Sequence, residues 1–515
     1  MAKHNLLKSL MNVSGMTLIS RVVGFIRDML MARIFGAGFT TDAFWVAFKL
    51  PNLLRRTFAE GAFSQAFVPI LSEYKAKRSI EETKDFVASI AGLLLLVLVS
   101  LVVLGMVFTG GVLLITAPGF TSDPAKLELT NTLLRITLPY IIFISMSSLI
   151  SGVLNTWRIF SIPAFTPTIL NLSFICFALF FRNYFHPPII AMAWAVFVGG
   201  ILQLLFQLPF LKKIGMPIWP KLNFKNKAVW RVIKLMGPAV FATSISQISL
   251  VINTIFASFL PSGSISWMNY ADRLMEFPTG VLGVALGTIL LPNLSKHAGE
   301  ENKQRFSQTL DWGIKLCLLL ALPATIGLAI TSKQLTMTLF MYGKFRYFDV
   351  LMTSRALIAY SAGLLGLIMV KIFAPGFYAN QDIKTPVKIA IFVLICTQAM
   401  NLIFVGTFKH AGLALSIGLG ACINAFCLCY FLIRRGIYVP QSGWKLFILR
   451  LVCAVVVMAI ALFFSMWFLP LDFAGHAYIR VISLFSLLVI AATSYFATLF
   501  VLGFRVRDFA LHDPD

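Results

Sequence analysis

Residues 90–108 read IAGLLLLVLVSLVVLGMVF, an uncharged run that matches the roughly 20 apolar residues a helix needs to cross the hydrocarbon core of a bilayer. The run is one of many. Comparable segments lie near 10–36, 42–72, 86–116, 128–154, 164–182, 188–211, 232–260, 265–295, 308–331, 352–377, 386–406, 411–433, 446–468 and 478–502. Over 515 residues, 59% are hydrophobic and 12% charged, against about 25% charged in an ordinary soluble domain. A soluble fold could not hide that much apolar side chain without exposing large sticky patches. The composition therefore excludes a soluble enzyme, a disordered chain and a disulfide-stapled secreted protein. It predicts an all-α polytopic membrane protein with about 14 transmembrane helices. The basic, apolar N-terminus holds Arg21 and Arg27 and has no small-x-small cleavage site, so it reads as an uncleaved first span.

The net charge of +23 supports this topology and gives no sign of nucleic acid binding. With the N-terminus placed in the cytoplasm, the inside segments hold 24 Lys and Arg residues and the outside segments 7. This positive-inside asymmetry places both termini in the cytoplasm, where the excess charge also attracts membrane lipids. The seven cysteines lie in apolar runs, and no His or acidic residue keeps ligand spacing with Cys422, Cys427 and Cys429, so no metal is expected.

The chain also echoes itself. Pro69-Ile-Leu-Ser72 matches Pro292-Asn-Leu-Ser295, Arg135-Ile-Thr-Leu-Pro-Tyr140 matches Arg355-Ala-Leu-Ile-Ala-Tyr360, and Pro163 matches Pro386. Six spans separate the matches, so the two repeats share one orientation, related by a pseudo-two-fold axis along the membrane normal. The expected plan is an N-terminal lobe (1–211), a basic linker (212–231), a C-terminal lobe (232–435) and two added helices (436–515). Paired lobes of this kind suit a transporter that binds its substrate between them.

Charges inside spans are costly, so by default they face a cavity or a partner. The first span reads Ser20-Arg-Val-Val-Gly-Phe-Ile-Arg-Asp-Met-Leu-Met-Ala-Arg33. It must be enclosed by protein, bent at Gly24 or set beside water. Snorkelling suits Arg33 but not Arg21 or Arg27. In the second span, Pro51 should break or kink the helix. Arg56 and Glu60 stand one turn apart and can pair, which makes Arg55 the expected ligand-facing cation. In the eighth span Arg273 and Glu276 can pair, and Gly280, Gly283 and Gly287 allow close helix packing. Arg21, Arg27, Arg55 and Arg273 thus gather on spans 1, 2 and 8. Arginine forms bidentate bonds with phosphate, so this set suits a multiply charged anion such as a diphosphate. No P-loop, HExxH, GxSxG or paired-carboxylate arrangement signals an enzyme.

Several long words carry a family resemblance. Asn5-Leu-Leu-Lys-Ser9, Ser20-Arg-Val-Val-Gly-Phe-Ile-Arg-Asp28, Phe35-Gly-Ala-Gly38, Thr41-Asp-Ala-Phe44, Phe48-Lys-Leu-Pro-Asn-Leu-Leu-Arg-Arg56 and Phe58-Ala-Glu-Gly-Ala-Phe-Ser-Gln-Ala-Phe-Val-Pro69 resemble the start of the MurJ (MviN) family. Tyr270-Ala-Asp-Arg-Leu-Met-Glu-Phe-Pro278, Ala374-Pro-Gly-Phe-Tyr378 and Asp382-Ile-Lys-Thr-Pro386 resemble later parts of it. The resemblance implies a lipid II flippase of bacterial peptidoglycan synthesis in the cytoplasmic (inner) membrane, of the multidrug/oligosaccharidyl-lipid/polysaccharide exporter superfamily. It makes Arg21, Arg27, Arg55 and Arg273 the diphosphate-binding residues. It matches Asp42, Ser266 and Glu276 to cavity or gating positions, and the last two helices to a groove for the undecaprenyl tail. Ser244, Gln247, Asn380, Asp382 and Thr385 do not plainly reproduce the sodium site of some members, and membrane potential is the alternative driving force. No cofactor is implied. The alternatives are an exporter of another polyprenyl-linked glycan or a drug, and a scaffold that recruits cell-wall synthesis proteins through the basic 212–234 loop.

Overall fold

A backbone in lipid has no water to satisfy its N–H and C=O groups, so each span must close its own hydrogen bonds as a helix. The computed structural model describes residues 2–56, 63–299, 302–468 and 476–505, and every regular element among them is helical. The helices are α1 (Ala2–Phe35), α2 (Phe39–Leu54), α3 (Phe63–Lys77), α4 (Ile80–Val107), α5 (Thr109–Thr116), α6 (Pro124–Thr137), α7 (Tyr140–Thr156), α8 (Ser161–Cys176) and α9 (Ile190–Lys213). They continue as α10 (Lys227–Ser258), α11 (Ser264–Gly299), α12 (Lys303–Ile330), α13 (Ser332–Phe340), α14 (Tyr347–Ala379), α15 (Lys384–Phe408), α16 (His410–Arg434), α17 (Trp444–Phe468) and α18 (Ala477–Val501). Among the described residues, ten helical segments are long and apolar enough to cross a membrane. The expected spans at 10–36, 42–72, 232–260 and 265–295 fall on α1, α2 with α3, α10 and α11.

Local chemistry sets the ends. At the start of α4, the Ser79 hydroxyl accepts from the Glu82 N–H at 3.2 Å, and the Glu82 carboxylate accepts from the Ser79 N–H at 3.3 Å. This reciprocal cap satisfies two otherwise orphaned donors. Asp123 caps α6 in front of Pro124, whose missing N–H costs nothing in the first turn. The expected break at Pro51 does not occur there: α2 runs through it to Leu54 and then widens into a π-helical turn at Arg55–Arg56.

Contacts divide the chain into two compact units, Met1–Ser266 and Trp267–Asp515. In the first, α1 packs along α8, α8 along α9, and α9 along α7. Helix α2 lies on α6, and α3 on α10, α7 and α4. One end of this unit has a core of Phe63, Phe67, Phe86, Leu149, Val153 and Val232, with Met216 of the linker buried in it. Between α7, α8 and α9 the apolar packing is laced by amides. Gln207 donates to the Ser147 hydroxyl at 2.7 Å and to the Thr166 hydroxyl at 3.0 Å, and Gln203 donates to the Thr166 carbonyl at 3.1 Å. Such bonds hold lipid-embedded helices together where the hydrophobic effect cannot.

In the second unit α14 packs along α16, α15 along α16, and α12 along α14 and α17. The α14–α16 contact is a backbone contact: a Cβ on Gly363 would lie 2.1 Å from Gly418 Cα. The α17–α18 pair rests on α12 through Leu451, Leu462 and Leu487, and the Tyr495 hydroxyl donates to the Leu319 carbonyl at 2.6 Å. A polar clamp fixes the α16–α17 linker. Asp311 of α12 accepts from the Tyr438 hydroxyl (2.8 Å), the Trp444 indole (2.7 Å) and the Gln441 N–H (3.2 Å), and pairs with Lys315 at 2.7 Å.

The two glycine environments give a test. Gly363→Ala forces two helix backbones apart and is expected to cost at least about 1–3 kcal/mol, the range for overpacked cores. Gly327→Ala in α12 meets no atom within 4 Å and is expected to leave stability unchanged or raised. Thermal unfolding of the two variants in detergent checks the contrast.

Candidate functional site

On α1 the small Gly24 leaves room for a neighbour, and α1 runs unbroken through it. A Cβ there would sit 3.1 Å from the amide nitrogen of Asn171 on α8. That amide donates to the Ser20 carbonyl at 3.2 Å, which turns its oxygen to accept from Arg27 Nη1 at 3.0 Å. Arg27 Nε and Nη2 donate to Asp28 Oδ1 at 2.9 and 2.7 Å, and the guanidinium lies 5.1 Å from the Phe174 ring centre. Asp28 is 0% exposed and Arg27 8%. Enclosure by protein, one of the three environments expected for this span, therefore holds for Arg27. Arg21 and Arg33 are exposed.

Asp42, in the first turn of α2, sits in a nest of four donors. Its carboxylate accepts from the Ser266 hydroxyl (2.7 Å), the Ser266 N–H (2.9 Å), the Gly263 N–H (2.7 Å) and Lys126 Nζ (3.4 Å). Gly263 has φ +100°, a region that favours glycine, so the turn that aims its N–H depends on that residue. Asp42 and Ser266, identified separately in the sequence, meet here. Lys126, the fourth donor, is one of the seven basic residues of the expected outside segments. It is buried, 4.3 Å from the Phe120 ring centre. A signal was present: a lysine in the first turn of α6 opposes the helix dipole unless an acid compensates it.

Arg55 Nε donates to Asn52 Oδ1 at 2.9 Å and is half-buried. Arg56 is exposed, and its expected partner Glu60 lies outside the described residues. In the second unit, Arg273 and Glu276 pair at 2.8 Å with side chains 34% and 49% exposed. A pair this open is worth at most about 1 kcal/mol, so a competing anion can displace the carboxylate cheaply. On α14 the stem of Lys371 fills the space beside Gly283 of α11, 2.6 Å from where a Cβ would stand. A lone lysine amid Ile368, Met369, Val370, Ile372 and Phe373 was the available signal.

Asp382, between α14 and α15, accepts from the Thr385 N–H at 3.0 Å and the Thr385 hydroxyl at 2.6 Å, and pairs with Arg435. Among the described residues, no group of three or more His, Cys, Asp or Glu could hold a metal ion. Partial burial pushes the Asp382 carboxyl up, but the Thr385 bonds and the Arg435 guanidinium outweigh it and hold it below the usual carboxylate range. A depressed native pKa adds stability above the ordinary carboxylate pKa of about 3.9, lost as pH falls through the lower native value. Asp382→Asn is therefore expected to flatten the acid limb of stability against pH, read by unfolding midpoints from neutral to acidic pH. Asp42→Asn leaves Lys126 buried without its carboxylate and is expected to cost about 3–5 kcal/mol. Adding Lys126→Met is expected to recover part of it, which a double-mutant unfolding cycle measures.

Residues 31–502 match the family model described as lipid II flippase MurJ. A lipid II flippase MurJ of Burkholderia cenocepacia is 49% identical over 512 residues, covering 98% of this chain and 99% of that protein. A probable lipid II flippase MurJ of Buchnera aphidicola is 46% identical over 506 residues, covering 98% of each. Among solved structures, a lipid II flippase MurJ in an inward closed conformation is 27% identical with a TM-score of 0.81, covering 96% of this chain and 99% of that one. An inward-facing multidrug resistance MATE transporter of the MOP superfamily shares the fold, with a TM-score of 0.66 at 14% identity, covering 81% of this chain and 94% of that one. A helical membrane chain with arginines in its first, second and eighth expected spans, matched along nearly its whole length, belongs to the lipid II flippase MurJ family.

Proposed function

We propose that this chain moves lipid II from the inner to the outer leaflet of the bacterial cytoplasmic membrane, by exposing one site to each face in turn. The observation that carries the reading is the near-full-length match to lipid II flippases; the arginines in the first, second and eighth expected spans support it, since they suit a diphosphate. Arg21, Arg55 and Arg273 are exposed or half-buried, so a phosphate oxygen can reach them without unburying another charge. Arg27, fixed by Asp28 and Asn171, offers its remaining N–H donors from a set position. Asp42, Ser266 and Glu276 act as cavity or gating residues in this reading.

The lobes at 1–211 and 232–435, the linker at 212–231 and a tail groove formed by 436–515 belong to the same proposal. So do cytoplasmic termini and membrane potential as driving force, since moving a charged headgroup couples to it directly. Cell-wall synthesis proteins are proposed partners. The test is the exposure of lipid II on the outer face of cells depleted of this protein. A headgroup-cleaving probe confined to the outside reads it. Wild type is expected to restore cleavage, and Arg21→Ala, Arg27→Ala and Arg273→Ala to lose most of it at normal membrane levels. Full activity in all three would remove the phosphate clamp, and unchanged exposure on depletion would remove lipid II transport.

A further inference from the structure

The segment between α9 and α10 is built as a docked strap. Met216 is buried in the core of the first unit, and the Lys221 N–H donates to the Ala88 carbonyl of α4 at 3.0 Å. Gly92, one turn along α4, leaves room for the strap: a Cβ there would lie 2.1 Å from the Lys221 carbonyl oxygen. Beyond it, the Trp230 indole donates to the Phe224 carbonyl at 2.8 Å, which ties the strap to the first turn of α10. This rigid frame holds its aromatic side chains outward. Trp219 is 78% exposed, and Leu222, Phe224 and Trp230 are each more than half exposed.

The charges around them are mostly basic. The first two turns of α10 are amphipathic: Ala228, Val229 and Val232 face the core, while Lys227, Trp230, Arg231 and Lys234 share an exposed face. Lys221 and Lys225 project from the strap, and Lys212 and Lys213 end α9 before it. Two acids lie nearby. Asp85 meets Lys221 at 3.7 Å and Glu73 meets Arg231 at 2.9 Å, both in exposed pairs that release their cations at little cost. None of the residues assigned to the diphosphate belongs to the strap or to this face of α10.

We propose that the strap and the exposed face of α10's first two turns form a binding site for anionic phospholipid headgroups. Trp219, Phe224 and Trp230 seat in the interfacial layer, and Lys225, Lys227 and Lys234 hold the phosphates. The pattern fits a lipid surface better than a protein partner. Amphipathic rings settle at headgroup depth, and each lysine near an anionic surface contributes about 1 kcal/mol. An ordinary basic loop would draw anionic lipid diffusely; a braced shelf of rings and lysines holds headgroups at a fixed place. Because the strap leads directly into α10, occupancy of the site bears on how that helix is held.

The test uses the purified full-length protein in phosphatidylcholine vesicles with trace spin-labelled phosphatidylglycerol or spin-labelled phosphatidylcholine. The motionally restricted fraction gives the preference for the anionic lipid. Wild type is expected to prefer phosphatidylglycerol several-fold at low salt and to lose most of that preference at high salt. The combined Lys225→Gln, Lys227→Gln and Lys234→Gln variant is expected to lower the preference at least about threefold. Trp219→Ser with Phe224→Ser is expected to lower it with the lysines intact. Lys384→Gln with Lys388→Gln, on α15, is expected to leave it unchanged. No preference in wild type, or equal loss from the strap and α15 variants, would overturn the site. A wild-type preference that salt does not weaken would overturn the role of the lysines without any variant needing to fold.

Discussion

A charge carried into a lipid-embedded helix has to be matched there, and the way this chain matches its charges sets where its helices lie. Removing one member of a buried pair leaves an uncompensated ion at a cost of several kcal/mol, so each such pair acts as a fixed joint. Asp28 with Arg27 and Asn171 joins α1 to α8. Asp42 with Lys126, Gly263 and Ser266 joins α2 to α6 and to the turn that opens α11. Asp311 with Lys315, Tyr438, Gln441 and Trp444 joins α12 to the linker that leads into α17. In the last two, one buried carboxylate draws donors from elements distant in sequence; in the first, the arginine beside the carboxylate reaches across to Asn171. The apolar packing around these joints is non-directional and could accept several helix arrangements, whereas the joints accept one.

The same reasoning separates structural charges from exchangeable ones. Arg27 cannot leave Asp28 without taking two hydrogen bonds from a carboxylate that is 0% exposed. The Arg273–Glu276 pair stands half open, and a phosphate could replace the glutamate while water solvates it. On the proposed function, the buried joint fixes the geometry of the site and the open cations meet the moving headgroup. A transporter needs both, because a site held only by buried pairs would have no means of release.

Much of the fold was legible because the physics of a span is local. Residues 90–108 read as a helix from their own composition, and the long uncharged runs that form α4, α9, α15, α16, α17 and α18 lie where the apolar segments placed them. Pairings set by distant residues were not legible. Lys126 looked like one loop charge among seven because its carboxylate stands 84 residues earlier, at Asp42. Asp311 carries no local sign of its role, because its donors arrive from residues 438–444. Pro51 marks a stretch of helix that can yield, and α-helical bonding gives way one turn later, at Arg55–Arg56. The part Gly24 plays as the gap that admits Asn171 depends on a residue 147 positions away and could not be read locally. The packing of α10 on α3 and α4 likewise rests on contacts between residues far apart in sequence.

The central claim is that these arginines carry a lipid-linked diphosphate across the bilayer. Its most direct test is reconstitution of the purified chain in liposomes holding fluorescent lipid II in the inner leaflet, with an impermeant quencher outside. Wild type is predicted to make lipid II accessible over time, faster with an imposed membrane potential, and Arg273→Ala to leave it protected. Lipid II that stays protected with wild type, or becomes accessible equally fast with the variant, would contradict the account.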